Sequence, residues 1–173
     1  MTLMKTILLL LTAAAALSGQ TADPISAGNK GLYNMIKGTV VRAAEKMPEE
    51  NYSFKPTPDV RSFGQLIGHI ADGQYEFCAP VLGDKSEHPS VEKTATTKAA
   101  LSEGLNAAFA YCDKAYNGMT DAEGAQMVDF FGRKYPKITM LAFNFAHNDE
   151  HYGNIVTYMR LKKLVPPSSE KKH

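Results

Sequence analysis

The segment SFGQLIGHIADGQYEFCAPVL, residues 62–82, decides the fold class of this chain. Ser62 is followed three residues later by Gln65, a capping-box pattern that marks the start of a helix. Apolar residues then recur at spacings of three, four and seven, which is the period of a helix with one buried face. These residues are Phe63, Leu66, Ile70, Phe77 and Val81. We therefore predict an amphipathic helix over residues 62–82.

Three further segments predict helices. Residues 25–47 carry a stripe that Pro48 must end, and residues 97–117 carry a second stripe that ends at Gly118. Residues 138–164 contain no proline, place basic side chains in the last turns, and stop before Pro166 and Pro167. The first stripe is Leu32, Ile36, Val40, Ala43 and Met47; the second is Leu101, Leu105, Ala108, Cys112, Ala115 and Met119. Four amphipathic helices with almost no strand signal predict an all-α four-helix bundle.

Two connections need separate interpretation. Residues 127–135 alternate weakly around Gly132, and we predict an ordered loop there, with a small hairpin as the alternative. Residues 83–96 form a crossover of about fourteen residues, which is long enough to run back along a helix of about 30 Å. This length favours a parallel arrangement of the second and third helices. Such an arrangement would place Cys78 and Cys112 at a similar height, so a disulfide and two buried thiols both remain open.

The first eighteen residues have the organisation of a secretory signal. A basic start with Lys5 precedes an apolar run of about a dozen residues, and Ala16 and Ser18 suit a cut after Ser18. We expect residues 1–18 to be removed and residues 19–173 to form one domain in the periplasm or outside the cell, without stable membrane insertion. An uncleaved membrane anchor is the alternative. Lys and Arg total 19 against 18 Asp and Glu, which argues against a nucleic-acid-binding protein.

Three histidines are candidate metal ligands. His147 and His151 are four residues apart and therefore share a helix face. Two adjacent buried imidazoles cost free energy unless their nitrogens find partners, and a divalent metal ion satisfies both. His69 lies on another helix, beside Gly73, which leaves room for an approaching side chain. Two nitrogens from one helix and a third from its neighbour suit zinc or nickel with open coordination positions. The alternative is a set of core histidines that hydrogen-bond to tyrosine, asparagine or backbone. The face of His147 also carries Met140, Phe143, Asn144, Asn154, Ile155 and Tyr158. Apolar groups thus lie above and below the histidines, and we predict that this face looks inward.

The remaining histidines and nearby acids have weaker assignments. His88 and His173 are predicted to be solvated surface residues. Asp72, Asp149 and Glu150 are candidates for acceptors behind the metal ligands or for a catalytic base, and each can equally be a surface charge. The sequence lacks the HExxH zinc-protease motif, a glycine-rich phosphate loop, the GxSxG motif and a zinc-ribbon cysteine pattern.

Two stretches of the chain resemble the DinB-like family of bacterial four-helix bundles. They are FKPTPDVRSFGQLIGHIAD, residues 54–72, and HNDEHYGNIVTYMRL, residues 147–161, and the similarity extends over nearly the whole chain after the leader. The resemblance implies an up-down-down-up topology and a divalent metal site, usually nickel or zinc. Its ligands are a histidine on the second helix and an HxxxH pair on the fourth, positions that His69, His147 and His151 occupy here.

The resemblance also bounds the function. Relatives include thiol-dependent transferases, isomerases and metal-dependent hydrolases, and most members have no assigned reaction. We expect an exported metal-dependent hydrolase of an unidentified small molecule, with no catalytic residue assigned. A non-enzymatic protein that binds a metal or small ligand and a thiol-dependent transferase are the alternatives, and a homodimer is left open.

Overall fold

The computed structural model describes residues 22–171 and is mostly helical. The predicted signal peptide and His173 lie outside these residues. Within them, no helix combines the length and the apolar character needed to cross a bilayer. The long helices are α1 (Pro24–Lys46), α2 (Phe63–Leu82), α4 (Lys98–Asn117) and α6 (Lys137–Leu161); the short ones are α3 (Val91–Thr94) and α5 (Asp121–Gly124). Two strands, β1 (Met127–Phe130) and β2 (Arg133–Pro136), and 3-10 turns at Glu49–Asn51 and Pro167–Ser169 complete the order.

The four predicted helices are confirmed, and their caps explain where they start and stop. The Ser62 hydroxyl accepts a hydrogen bond from the Gln65 backbone N–H at 3.1 Å, and the Gln65 side chain accepts one from the Ser62 N–H at 2.9 Å. This reciprocal pair is the predicted capping box. The last helix ends at Leu161, three residues before the predicted end, because Lys163 adopts a left-handed φ of 60°.

The segment predicted as an ordered loop is a β-hairpin. Met127 pairs with Pro136 and Phe130 with Arg133 in antiparallel register. Phe131 and Gly132 form the turn with φ values of 46° and 75°, and positive φ at both central positions matches the twist of paired strands. The loop interpretation is therefore wrong, and the all-α prediction is corrected by this two-stranded sheet. The short α3 and α5 were also not predicted.

The core lies among the four long helices. α2 contacts α4 and α6, and α1 packs against the same two helices. The predicted stripe of α1 is confirmed except at its first position, where Leu32 is 46% exposed and Tyr33 is fully buried instead. The Tyr33 hydroxyl donates to the Phe109 carbonyl at 3.1 Å and to Asp113 at 2.9 Å, so a tyrosine can occupy the core with its polar end satisfied.

A disulfide joins α2 to α4. It links Cys78 to Cys112, whose Cα atoms are 5.4 Å apart, within the range that a disulfide requires. Both side chains are fully buried. The structure thus selects the disulfide over the alternative of two free thiols.

Candidate metal centre

Three histidine side chains from two helices converge between α2 and α6. His69 comes from α2, and His147 and His151 come from successive turns of α6. Each offers a ring nitrogen, and these nitrogens lie within 4.8 Å of one another. The Nε2 atoms of His69 and His147 are 3.2 Å apart. The structure therefore brings together the three residues that the sequence singled out as candidate ligands.

Gly73 allows this approach. A Cβ atom at Gly73 would lie 2.5 Å from Cε1 and 2.8 Å from Nδ1 of His147, far inside normal contact distance. The imidazole of His147 thus occupies the space that any other residue at position 73 would fill. This confirms the expectation that Gly73 leaves room beside His69.

Burial keeps two of the imidazoles neutral. Removal from water, and then the neighbouring His151 and His69, lower the pKa of His147 to about 3. Removal from water, followed by the proximity of His69, also lowers the pKa of His151. Neutral imidazoles have the free lone pair that metal binding requires. The Nδ1 atoms of both residues are buried and find no hydrogen-bond partner among residues 22–171.

A closed ring of three amide side chains lies behind the histidines. Gln74 donates to Asn148 at 2.7 Å, Asn148 donates to Asn144 at 3.2 Å, and Asn144 donates back to Gln74 at 3.1 Å. All three side chains are fully buried. Buried polar groups that satisfy one another in this way hold a single arrangement, and Asn148 directly follows His147 in α6. The sequence pattern places Asn144 on the histidine face but does not predict this ring.

The face of α6 that was predicted to look inward does so only in part. Met140 and Ile155 are fully buried and Tyr158 is nearly so, in agreement with the prediction. Phe143 is 40% exposed and Asn154 is exposed, so both were placed wrongly. Phe143 lies at the edge of the hairpin, where its ring meets that of Tyr135 at 5.5 Å.

One acidic residue that was not predicted from the sequence contacts the cluster. Nδ1 of His69 lies 3.1 Å from Oε2 of Glu92 in α3. Glu92 follows His69 by 23 residues and belongs to no motif, so the pattern gave no direct signal. Gly68, a glycine within a helix, is the only hint in the sequence. In the structure a Cβ at Gly68 would lie 2.5 Å from the Cα of Glu92.

Asp72, Asp149 and Glu150, the acidic residues considered as acceptors or as a catalytic base, have other contacts or lie on the surface. Asp72 accepts hydrogen bonds from the backbone N–H groups of Val91 at 2.6 Å and of Glu92 at 3.2 Å, so it holds the start of α3. Asp149 and Glu150 are exposed on α6, in agreement with the interpretation of both as surface charges. The negative charge of Glu150 partly opposes the burial that lowers the pKa of His151.

The prediction that His88 is a solvated surface residue is wrong. Its ring stacks on Tyr75 with centroids 4.8 Å apart, and its side chain is 19% exposed. Tyr111 meets the same ring edge-on, with centroids 4.9 Å apart. His88 is not part of the cluster formed by the other three histidines.

The chemistry and spacing of the three histidines fit a divalent ion. Two nitrogens bound to one zinc ion at about 2.1 Å each are separated by at most about 4.2 Å. The 3.2 Å between the Nε2 atoms of His69 and His147 meets this condition, and all three ligand nitrogens lie within 4.8 Å of one another. Three imidazole nitrogens could hold one divalent ion and would leave further coordination positions for other groups.

The chain belongs to the DinB superfamily. The sequence profile of that superfamily matches residues 37–155, which include all three histidines. The uncharacterized protein YjoA of Bacillus subtilis is 28% identical over 123 residues, covering 68% of this chain and 77% of the relative.

Solved structures share the fold. A DinB-like protein from Bacillus cereus superimposes with a TM-score of 0.72 at 20% identity, covering 82% of this chain and 95% of that one. A mycothiol-dependent maleylpyruvate isomerase superimposes with a TM-score of 0.63 at 14% identity, covering 75% of this chain and 60% of that one. At such low identity these similarities establish the fold and leave the activity to be argued from the site.

Proposed function

We propose that His69, His147 and His151 bind one divalent ion, zinc or nickel, and that the protein is a metal-dependent hydrolase of a small molecule. The convergence of three ring nitrogens within 4.8 Å carries this proposal. When bound, such an ion supplies Lewis-acid chemistry and activates water for hydrolysis.

The residues around the cluster support this function. Burial holds His147 and His151 in the neutral form, so neither must lose a proton before it binds a metal at neutral pH. The side chain of His69 is 25% exposed, which gives a small molecule access from the surface. Three protein ligands with open positions are the arrangement of catalytic sites, whereas four ligands close a structural site.

A thiol-dependent transferase is the second candidate. It is supported by the shared fold with the isomerase whose name includes mycothiol dependence. In such an enzyme the ion would polarise a thiol in place of water. An exported protein would meet few intracellular thiols, and this favours the hydrolase. A screen of ester, amide and related substrates on the metal-loaded protein, with and without low-molecular-weight thiols, separates the two.

The proposal includes the up-down-down-up bundle, and contacts at both ends of α2 and α4 support it. A Cβ at Gly64, near the start of α2, would lie 3.1 Å from Leu101, near the start of α4. The disulfide between Cys78 and Cys112 joins the two helices near their ends. The starts of α2 and α4 therefore lie together and so do their ends, as in parallel helices.

The other two helices fit the same topology. His69, in the first half of α2, meets His151, in the second half of α6, with ring centroids 4.7 Å apart. Lys98, the first residue of α4, donates to the backbone carbonyl of Met47, just after the end of α1, at 2.8 Å. Each contact joins the first part of one helix to the last part of its neighbour, so α2 and α6 are antiparallel, and α1 and α4 are antiparallel. We further propose that residues 19–173 form this one domain after export and removal of residues 1–18.

Metal titration of the chelated protein tests the site. Zinc and nickel should raise the melting temperature of the parent, with a stabilisation of about 2.7 kcal/mol at a free metal concentration 100 times the Kd. His147→Ala and His151→Ala should abolish the effect, and His69→Ala should weaken it strongly because only two nitrogens remain.

The matched control is His88→Ala, which removes a half-buried histidine outside the cluster and should respond to metal as the parent does. The core-histidine interpretation predicts instead that the parent shows no metal dependence while the three variants lose stability with or without chelator. A parent that binds neither ion more tightly than His147→Ala contradicts the proposal.

A further inference from the structure

The crossover between α2 and α4 brings a carboxylate to one of the candidate metal ligands. Its short helix α3 carries Glu92, whose Oε2 lies 3.1 Å from Nδ1 of His69. Both side chains are largely shielded from solvent, at 25% exposure for His69 and 22% for Glu92. The contact therefore occurs where water competes little for either group.

Two glycines let α3 come this close. A Cβ at Gly68 would lie 2.5 Å from Cα and 2.8 Å from the backbone nitrogen of Glu92. A Cβ at Gly104 of α4 would lie 2.7 Å from Cγ1 of Val91. Because the crowding at Gly68 involves backbone atoms, the chain could not accommodate a side chain there without displacing α3. The two long helices thus form a groove in which α3 is seated.

Polar contacts fix the orientation of α3 and of its carboxylate. Asp72, one turn of α2 beyond His69, accepts hydrogen bonds from the first two backbone N–H groups of α3. Nε of Arg61 donates to Oε1 of Glu92 at 2.8 Å. Arg61 thereby occupies one carboxylate oxygen, and the other oxygen is left to face His69.

The direction of the contact at His69 determines which ring nitrogen is free. A carboxylate accepts hydrogen bonds, so the neutral imidazole must carry its proton on Nδ1 to satisfy Glu92. Its lone pair then lies on Nε2, the atom that is 3.2 Å from Nε2 of His147. Histidines that bind metals commonly hold their second nitrogen in this way, and the partner fixes both tautomer and ring orientation.

We propose that Glu92 is a positioning residue of the metal centre, which holds His69 as the Nδ1–H tautomer and presents its Nε2 to the ion. The part that concerns the ion rests on the proposed function; the tautomer of His69 does not. The crossover is then part of the site, and the close contact at Gly68 contributes to tight metal binding.

Long-range ¹H–¹⁵N NMR of the metal-free protein at about pH 8, where free imidazoles are neutral, tests the tautomer without any variant. The expected result is a proton on Nδ1 of His69 in the parent. Glu92→Leu should shift His69 towards the Nε2–H form, whereas Glu92→Gln, which retains an acceptor oxygen, should keep the parent tautomer. A parent with its proton on Nε2 of His69 overturns the inference.

Chelator-competition titrations with zinc and nickel test the consequence for binding. Glu92→Leu should raise the Kd by about 10–100-fold, the usual cost of losing a partner behind a metal ligand, and Glu92→Gln should raise it less. Glu87→Leu, at an exposed glutamate of the same crossover, is the matched control and should leave the Kd unchanged.

The two failures are distinguishable. A parent that holds the Nδ1–H tautomer but binds neither ion overturns the proposed function. A parent that binds metal while Glu92→Leu, still folded by circular dichroism, binds it equally well overturns the positioning role. If Glu92→Leu does not fold, the tautomer of His69 in the parent and the metal Kd of Glu92→Gln test the positioning role. A Kd for Glu92→Gln below that of the parent overturns the inference.

Discussion

Replacing Gly73 with alanine should weaken metal binding by about 10–100-fold while leaving the helical fold in place. The added Cβ would lie 2.5 Å from Cε1 of His147, whereas carbon atoms in contact stay about 3.5–4.0 Å apart. The imidazole must therefore retreat by about 1 Å from α2, and so from His69. Misplacing a positioned group by about 1 Å is enough to weaken its action about 100-fold. The lower end of the expected range, about 10-fold, allows for relaxation of α6.

The same substitution should affect stability less than binding. Alanine in a helix interior is favoured over glycine by up to about 1 kcal/mol, which offsets part of the cost of displacing His147. Binding is measured by chelator competition with zinc, and stability by urea unfolding of the metal-free protein. Gly153→Ala is the matched control, since a Cβ at this glycine of α6 has nothing within 4 Å. It should stabilise the protein by up to about 1 kcal/mol and leave the Kd unchanged.

The refuting result is a Gly73→Ala protein with the Kd and the urea midpoint of the parent. Such a protein would show that α2 and α6 adjust to the added methyl group without moving His147. The inference that the close approach at Gly73 sets the ligand position would then be wrong, even if the three histidines bind metal.

Three further predictions concern pH, the disulfide and export. The pKa of His147 is about 3 in the folded protein and about 6.5 in an unfolded chain. Between these two pH values only the unfolded state binds a proton at His147. The contribution of His147 to stability should fall by up to about 1.4 kcal/mol per pH unit as pH falls from about 6.5 to about 3 in the metal-free protein. Urea unfolding should show a shallower pH dependence for His147→Gln, in which His151 still contributes, and an unchanged slope contradicts this. Reduction of the Cys78–Cys112 disulfide, with a sequence separation of 34, should lower the free energy of unfolding by about 4 kcal/mol, and two free thiols in the denatured, unreduced protein would exclude the bond. Mass spectrometry of the exported protein should find its first residue between Gly19 and Ala22, and a mass that still includes Met1 would count against the leader.

The long helices could be predicted because their signals are local. The capping box at Ser62 and Gln65 acts within three residues, and a helical period repeats within one segment. The pairing of His147 with His151 is equally local. His69 required more, since its place beside them depends on the packing of two helices. Gly73 beside His69 was the signal within that helix, and the resemblance of two separate stretches to one family supported it.

The wrong predictions arose where packing overrides the local pattern. Tyr33 replaces Leu32 in the core because Phe109 and Asp113 accept hydrogen bonds from its hydroxyl, and no property of the α1 segment alone reveals these acceptors. The hairpin was kept only as the alternative to an ordered loop, for a different reason. Its turn places Phe131 at a positive φ, a conformation that sequence patterns associate with asparagine or glycine.

Glu92 shows most clearly what a local pattern cannot contain. Its contact with His69 depends on Gly68 and Gly104, on two different helices, which together admit the backbone of α3. It depends also on Asp72, which the sequence offered either as an acceptor behind the histidines or as a surface charge, and which holds the helix that carries Glu92. Each of these residues has an ordinary interpretation in the sequence: a glycine within a helix, an acid on a helix surface, a glutamate in a polar connection. Only the packing of the crossover against α2 and α4 turns them into one arrangement, and that arrangement places a carboxylate behind a candidate metal ligand.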